Sequence, residues 1–358
     1  MGTSLARLGS APADFDLIGI EPAVVQSWED GRRTDGSAGT YEWWYFDAHL
    51  DDGAKLVVAF FTKDFADVGR PLSPMIRIDL DLPDGRSHGK VAEWKPEKFS
   101  ASQEGCDVRI GDHFFRGDLH AYTISARIEN VAIEVTLTGD IPSWRPATGH
   151  WYFGAEGEKE FNWLPAVPQG RVMATYTVDG AARSSAGVGY HDHNWGNAPM
   201  NSLINHWYWG RGGAGPYAVI ASYITAEKAY GSTPLPVFML AKGGRVIADD
   251  PAKVSFETLG VYTDVTTGKP VGNVVRYTYA DGDDTYTATF TRHRDLSLNK
   301  LIDSLQGPKR LAAKLVRFDG AYLRFEGELR IEHLRAGSVV ESHTDSAIWE
   351  LMYMGRTQ

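Results

Sequence analysis

The sequence predicts an all-β protein built as two tandem antiparallel β-barrels, and three observations carry that expectation. Apolar and polar residues alternate with period two in many short runs, of which Met75-Ile-Arg-Ile-Asp-Leu-Asp-Leu82 is the clearest. Glycine- and aspartate-bearing turns punctuate those runs. The same texture fills both halves of the 358-residue chain, a length that suits one large or two medium domains.

The elements follow in order. Residues 1–40, rich in Gly, Ser, Ala and Asp, read as an irregular lead-in. Tyr41 to Leu50, Asp-Asp-Gly, then Lys55 to Lys63 read as a hairpin. Leu119 to Ile128, Glu129-Asn130 and Val131 to Leu137 form a second. Arg171 to Val178, Asp179-Gly180 and Ala181 to His191 form a third. Further strands are expected over Pro216 to Thr225, Leu235 to Lys242, Lys253 to Tyr262, Asn273 to Tyr279, Thr285 to Arg292, Tyr322 to Leu334 and Val339 to Tyr353. One short helical segment is expected near 298–316. Leu298, Leu301, Ile302 and Leu305 fall at i, i+3, i+4, i+7, and Pro308 can open a further turn. The expected domains are thus the lead-in, a barrel over 41–196 and a barrel over 197–358.

Composition narrows the function. Net charge is −10 with acids and bases interspersed, so the basic footprint of a nucleic-acid binder is absent. No run has the length of a membrane helix, so no membrane insertion is expected. A single cysteine, Cys106, permits no intrachain disulfide and favours a reducing, cytoplasmic setting. The chain's 11 Trp, 16 Tyr and 15 Phe are a heavy aromatic load, which must be buried or line something.

Three segments concentrate chemistry. In Tyr41-Glu-Trp-Trp-Tyr-Phe-Asp47, a strand puts Glu42, Trp44 and Phe46 on one face and Trp43, Tyr45 and Asp47 on the other. That strand reads either as a pocket wall or as core with Glu42 in a structural ion pair. In Gly189-Tyr-His-Asp-His-Asn-Trp-Gly196, His191, His193 and Trp195 share a face, opposite Tyr190, Asp192 and Asn194. Two imidazoles on one face can deliver or accept protons near neutrality. The same His-x-His could supply two metal ligands with His206 or His150 as a third. No carboxylate stands at diagnostic spacing, so no metal is expected. In His206-Trp-Tyr-Trp-Gly-Arg211, Trp207 and Trp209 share a face. The following Gly210-x-Gly-x-x-Gly215 runs into a strand pattern rather than a helix, which excludes a dinucleotide site.

These three blocks, in this order, resemble the hydroxyneurosporene synthase (carotenoid 1,2-hydratase)/AttH family, to which fungal decalin-forming Diels–Alderases are distantly related. The resemblance runs from about Pro22 onward. It implies lipocalin-like barrels, no cofactor and a long apolar substrate. His193 and Trp195 match the family's His-x-Trp, and Tyr223 stands for its tyrosine. Thr225 occupies the position of the hydratases' proton-donating Asp.

The expected function is therefore a cofactor-independent lyase or isomerase acting on a hydrophobic, terpenoid-like small molecule in an aromatic pocket near the domain interface. A Diels–Alderase-type cyclase and a non-catalytic carrier are the alternatives. Expected catalytic residues are His193, Trp195, Tyr223, Glu42 and His191. Expected substrate contacts are Trp43, Trp44, Tyr45, Tyr190, Asn194, His206, Trp207 and Trp209.

Overall fold

The computed structural model describes residues 5–65, 67–304 and 318–357. Two compact units emerge. One comprises Leu8–Tyr152 with Gly157–Pro199, and the other runs from Met200 onward with Phe153–Glu156 and the N-terminal end through Arg7.

The first unit is a curled antiparallel sheet. Across it the order is Ser87–Glu93, Met75–Asp81, Lys55–Phe61, Tyr41–Leu50, Ala181–Gly196, Lys159–Val178, Val131–Gly139, Ala121–Ile128, His113–Gly117, Asp107–Ile110 and Phe99–Ala101. The sheet curls far enough that Met75–Asp81 approaches Ala121–Ile128. Alternation decides which residues go inside. Ile76, Ile78 and Leu80 are buried, as are Ile124, Ile133 and Val135 from facing strands. The long strand Lys159–Val178 slips register twice against Ala181–Gly196, between Leu164 and Val167 and between Val167 and Gly170. Pro165 and Pro168 lie in those intervals and lack the N–H that a regular ladder needs.

Residues 8–40, expected as an irregular lead-in, group with this unit. Pro12–Ile18 is a helix whose first turn is capped by Asp14, which accepts hydrogen bonds from the N–H groups of Ser10 and Ala11. Ser27–Asp30 forms a 3₁₀ turn in which Glu29 caps the N–H of Gln26 at 2.8 Å. That turn sends both Glu29 and Asp30 into the protein, where they are buried.

The second unit is also a curled antiparallel sheet. Its order is Arg245–Ala248, Pro234–Lys242, Tyr217–Ala226, Ile204–Ala214, Ser338–Tyr353, Ala321–Arg335, Asp284–Lys300, Val274–Asp281 and Val254–Leu259. Tyr208, Tyr277, Phe290, Phe325 and Trp349 form much of its core. Asp281 pairs directly with Asp284, so the acidic run there is a tight hairpin turn.

The helical expectation near 298–316 needs correction at its start. Leu298, Asn299 and Lys300 extend the strand Asp284–Lys300 and pair with Leu323, Tyr322 and Ala321. A helix begins only at Leu301 and is described through Ser304, and 305–316 lies outside the described residues. Cross-strand pairing here overrides the local helical spacing of the leucines. No described helix is long and apolar enough to cross a membrane.

Candidate active site

The strand Ala181–Gly196 lies between Tyr41–Leu50 and Lys159–Val178, and its register assembles the site. His193 stands opposite Trp44, Trp195 opposite Glu42, and on the other side Trp195 faces Asn162 and His193 faces Leu164. Directly opposed residues share a face, so Glu42, Trp44, Asn162, Leu164, His191, His193 and Trp195 all project to one side.

Two histidine–carboxylate pairs lie on that side. His193 Nε2 is 2.8 Å from Glu42 Oε1, and His191 Nε2 is 3.1 Å from Asp30 Oδ2. All four side chains are essentially inaccessible, at 0% to 1% exposure. The segment 30–34 supplies the other partners. The N–H groups of Arg33 and Thr34 donate to Glu42 at 2.6 and 2.8 Å, and the Thr34 hydroxyl adds a third bond at 2.7 Å. With His193, four donors therefore satisfy this buried carboxylate. Asp30 Oδ2 also accepts the Tyr122 hydroxyl at 2.6 Å. Burial alone would raise the Asp30 carboxyl, but His191, His193 and Tyr122 outweigh it and hold the group below its ordinary range. His191 Nδ1 reaches the Tyr45 carbonyl at 2.8 Å, which fixes the ring.

Aromatic rings close around the imidazoles. His193 stacks on Trp44 at 4.6 Å and packs against Trp195 at 4.7 Å, while His191 lies between Phe115 and Tyr122. Asp30, Cys106 and His191 bring one ligand-type atom each to within 4.8 Å of one another. In that group Asp30 Oδ2 is already engaged by His191 and Tyr122, and the Cys106 thiol reaches the Phe115 carbonyl at 3.6 Å.

The opposite face is also buried. Asp192 accepts from Trp163 Nε1 at 2.9 Å, the Tyr190 hydroxyl at 2.8 Å and Asn194 Nδ2 at 2.7 Å. Burial outweighs these three donors and pushes the Asp192 carboxyl up to about 6. Tyr190 and Asn194 thus serve this network.

A cavity of about 490 Å³ opens within the first unit. Its apolar wall includes Trp28, Trp163, Trp195, Leu164, Ile18 and Ile20. Its polar groups include Glu29, Arg33, Arg145, His150, Glu160 and Asn162. Trp195 joins cavity and core: one side lines the space and the other packs on His193.

The structure therefore divides the residues singled out from sequence. Trp195 is on the cavity wall. His193, Glu42, His191 and Trp44 are buried behind it rather than on the wall. Trp43 packs with Tyr41, Phe61 and Phe65, and Tyr45 donates to Asp47 at 3.1 Å. Tyr223, His206, Trp207 and Trp209 belong to the second unit. There Tyr223 stacks on Phe256 at 4.0 Å, and Trp207 donates to Glu350 at 3.0 Å. His206 lies on Tyr353, and burial pushes its imidazole down to about 4.

Sequence reasoning missed Trp28, Glu29, Asp30, Arg33, Arg145 and Glu160. The available signal was Trp28-Glu-Asp30, an aromatic beside two acids in an otherwise polar lead-in.

Comparison with known proteins follows the same outline. Residues 124–294 match the Diels-Alderase-like family model. The quinolone epoxide rearrangement protein asqO of Emericella nidulans is 26% identical over 51% of this chain and 54% of its own length. The corresponding penF protein of Penicillium thymicola is 26% identical over 72% of this chain and 76% of its own. A hydroxyneurosporene dehydrogenase of Chlorobaculum tepidum is 28% identical over 65% and 68%. This chain thus spans about half the length of the first of these relatives. Among solved structures, CghA superposes with a TM-score of 0.62 at 14% identity, covering 94% of this chain and 98% of CghA. AttH of Nitrosomonas europaea superposes at 0.60 with 16% identity, covering 93% and 98%.

The chain is similar in sequence to the Diels-Alderase-like family over residues 124–294 and shares its fold with CghA and AttH. The AttH-like fold is lipocalin-like, which agrees with the two curled antiparallel sheets.

Proposed function

We propose that this AttH-like protein is a cofactor-independent lyase or isomerase that acts by acid–base chemistry on an apolar small molecule held in the cavity of its first unit. One observation carries the reading. Trp195, from the His-Asp-His-Asn-Trp segment, forms a wall of a cavity that also presents Trp28, Trp163, a histidine and several carboxyl groups. Such a space offers ring faces to an apolar, planar or polyene substrate and ionisable groups to move its protons. In this reading Trp195 touches substrate, and the buried His193–Glu42 pair keeps Trp195 in place. Two relatives support the reaction class, because they are named for a quinolone epoxide rearrangement, which is an isomerisation.

The test is turnover without added cofactor. The purified protein is incubated with a quinolone epoxide and an acyclic carotene, and products are separated by mass spectrometry. A product isomeric with its substrate, or differing by one water, is expected with at least one of them. Heavy-oxygen water separates hydration, which incorporates the label, from rearrangement or cycloaddition, which does not. Binding of these molecules with no conversion would leave a carrier and end the enzymatic reading.

A further inference from the structure

Among the polar side chains that line the cavity, four fall into two pairs drawn from different parts of the chain. Glu29 comes from the 3₁₀ turn Ser27–Asp30, and its Oε2 lies 3.3 Å from Arg145 Nε. Arg145 is anchored by the backbone carbonyls of Val24, at 3.1 Å, and Glu21. His150 and Glu160 come from two strands, with His150 Nδ1 3.4 Å from Glu160 Oε2. Asn162 also donates to Glu160 Oε2, at 3.3 Å, and the His150 ring stands edge-on to Trp195 at 5.5 Å.

We propose that His150, positioned by Glu160, is the proton donor of this cavity and Glu29 its proton acceptor. The inference rests on the cavity being the substrate site. With Nδ1 turned to Glu160, the imidazole leaves Nε2 for a ligand. Glu160 is a positioning residue. Burial would raise its carboxyl, but the hydrogen bond and charge of His150, together with Asn162, hold it below the ordinary range. Glu29 differs. Burial raises its carboxyl against the opposing charges of Arg145 and Arg33 and the Gln26 N–H, so its ionised form is a stronger base than a water-exposed glutamate. One turnover then moves one proton from His150 to the substrate and one from the substrate to Glu29. The substrate gains no net proton, and solvent returns the two side chains to their starting states.

Styrene oxide, an apolar aromatic epoxide, tests the pair without the natural substrate. His150 protonates the ring oxygen as its C–O bond breaks, and a Glu29 oxygen forms the new bond to carbon. The product is a hydroxy-ester on Glu29, located by peptide mass spectrometry. The label is expected on Glu29 and is absent in Glu29→Gln. It should form about 100-fold more slowly in His150→Ala, the size of a lost general acid. In wild type the labelling rate should fall on the alkaline side, as for any step driven by a general acid. Glu160→Gln should slow labelling because the ring is no longer held, and Glu160→Asp, which keeps the carboxylate, should restore part of the rate.

Labelling of Glu29 at an unchanged rate in His150→Ala, labelling confined to other residues, or a wild-type rate that rises with pH throughout would each overturn the assignment. The pH profile needs no variant, so it stands even if His150→Ala fails to fold. The two proposals fail separately. Labelling as described with no conversion of any candidate substrate removes the enzymatic reading and keeps the pair. Conversion undiminished in Glu29→Gln removes the pair and keeps the enzyme.

Discussion

His193 Nε2 sits 2.8 Å from Glu42 Oε1 on the adjacent strand, both side chains buried, with Trp44 stacked on the imidazole. Neither group gains from water, so each depends on the other. Truncation of Glu42 leaves His193, two backbone N–H groups and the Thr34 hydroxyl without their acceptor. Glu42→Ala should therefore destabilise the protein by about 3–5 kcal/mol, the usual cost of breaking a buried pair. Glu42→Gln keeps an acceptor and should cost less. Urea unfolding gives both values. Equal stability of Glu42→Ala and wild type would show that segment 30–34 is not held by this carboxylate.

Asp192 gives a pH signature. Its carboxyl is raised from 3.8 to about 6 in the folded protein. The folded state thus binds this proton more tightly than the unfolded chain does. The resulting stability is fully present below about pH 4 and is lost as pH rises through about 6. Relative to Asp192→Asn, wild type should lose roughly 2–3 kcal/mol across that window, from about 1.4 kcal/mol per pH unit. Unfolding curves at several pH values check this, and a difference that stays flat or grows with pH contradicts it.

Cys106 should be silent in the native protein. Its thiol is buried, and desolvation reinforced by nearby Asp30 pushes its ionisation well above the ordinary range. A thiol-exchange reagent should react with it only after denaturant is added. Stoichiometric reaction within seconds at neutral pH would mean that the Asp30–His191 region opens readily.

Trp195 and Trp209 should separate in a binding assay. Trp195 is a wall of the cavity, whereas Trp209 lies in the second unit. Anilinonaphthalene sulfonate serves as an apolar fluorescent probe. Trp195→Ala should weaken its binding about 10-fold, from loss of roughly 1.4 kcal/mol of ring contact. Trp209→Ala should leave it nearly unchanged, and the reverse pattern would move the ligand site out of the first unit.

Much of the architecture was legible because strand alternation is a local property. Glu42, Trp44 and Phe46 share a buried face, as period two requires, and His191 and His193 share one face with the partly buried Trp195. The hairpins at Asp179-Gly180 and Asp281–Asp284 also follow from turn chemistry within a few residues. The leucine spacing at 298–305 misled, since a strand partner at Ala321–Leu323 was available and local spacing carries no information about partners.

The sequence by itself determined that the protein is all-β, that its aromatic segments are strands, and which side chains share each face. Each of these depends on neighbours one to four residues apart. Only the tertiary structure decided that Asp30 meets His191 across 161 positions and Glu42 meets His193 across 151, closing both imidazoles away from the cavity. It likewise brought Glu29 to Arg145 and turned the expected lead-in into part of the first unit. Such pairings arise from how the sheet curls and which segment enters its open side, and the residues between the partners do not encode that geometry. The His-Asp-His-Asn-Trp segment was recognisable in the sequence as a strand face carrying two imidazoles and an indole. The structure added that Trp195, and not His193, is its residue on the cavity wall.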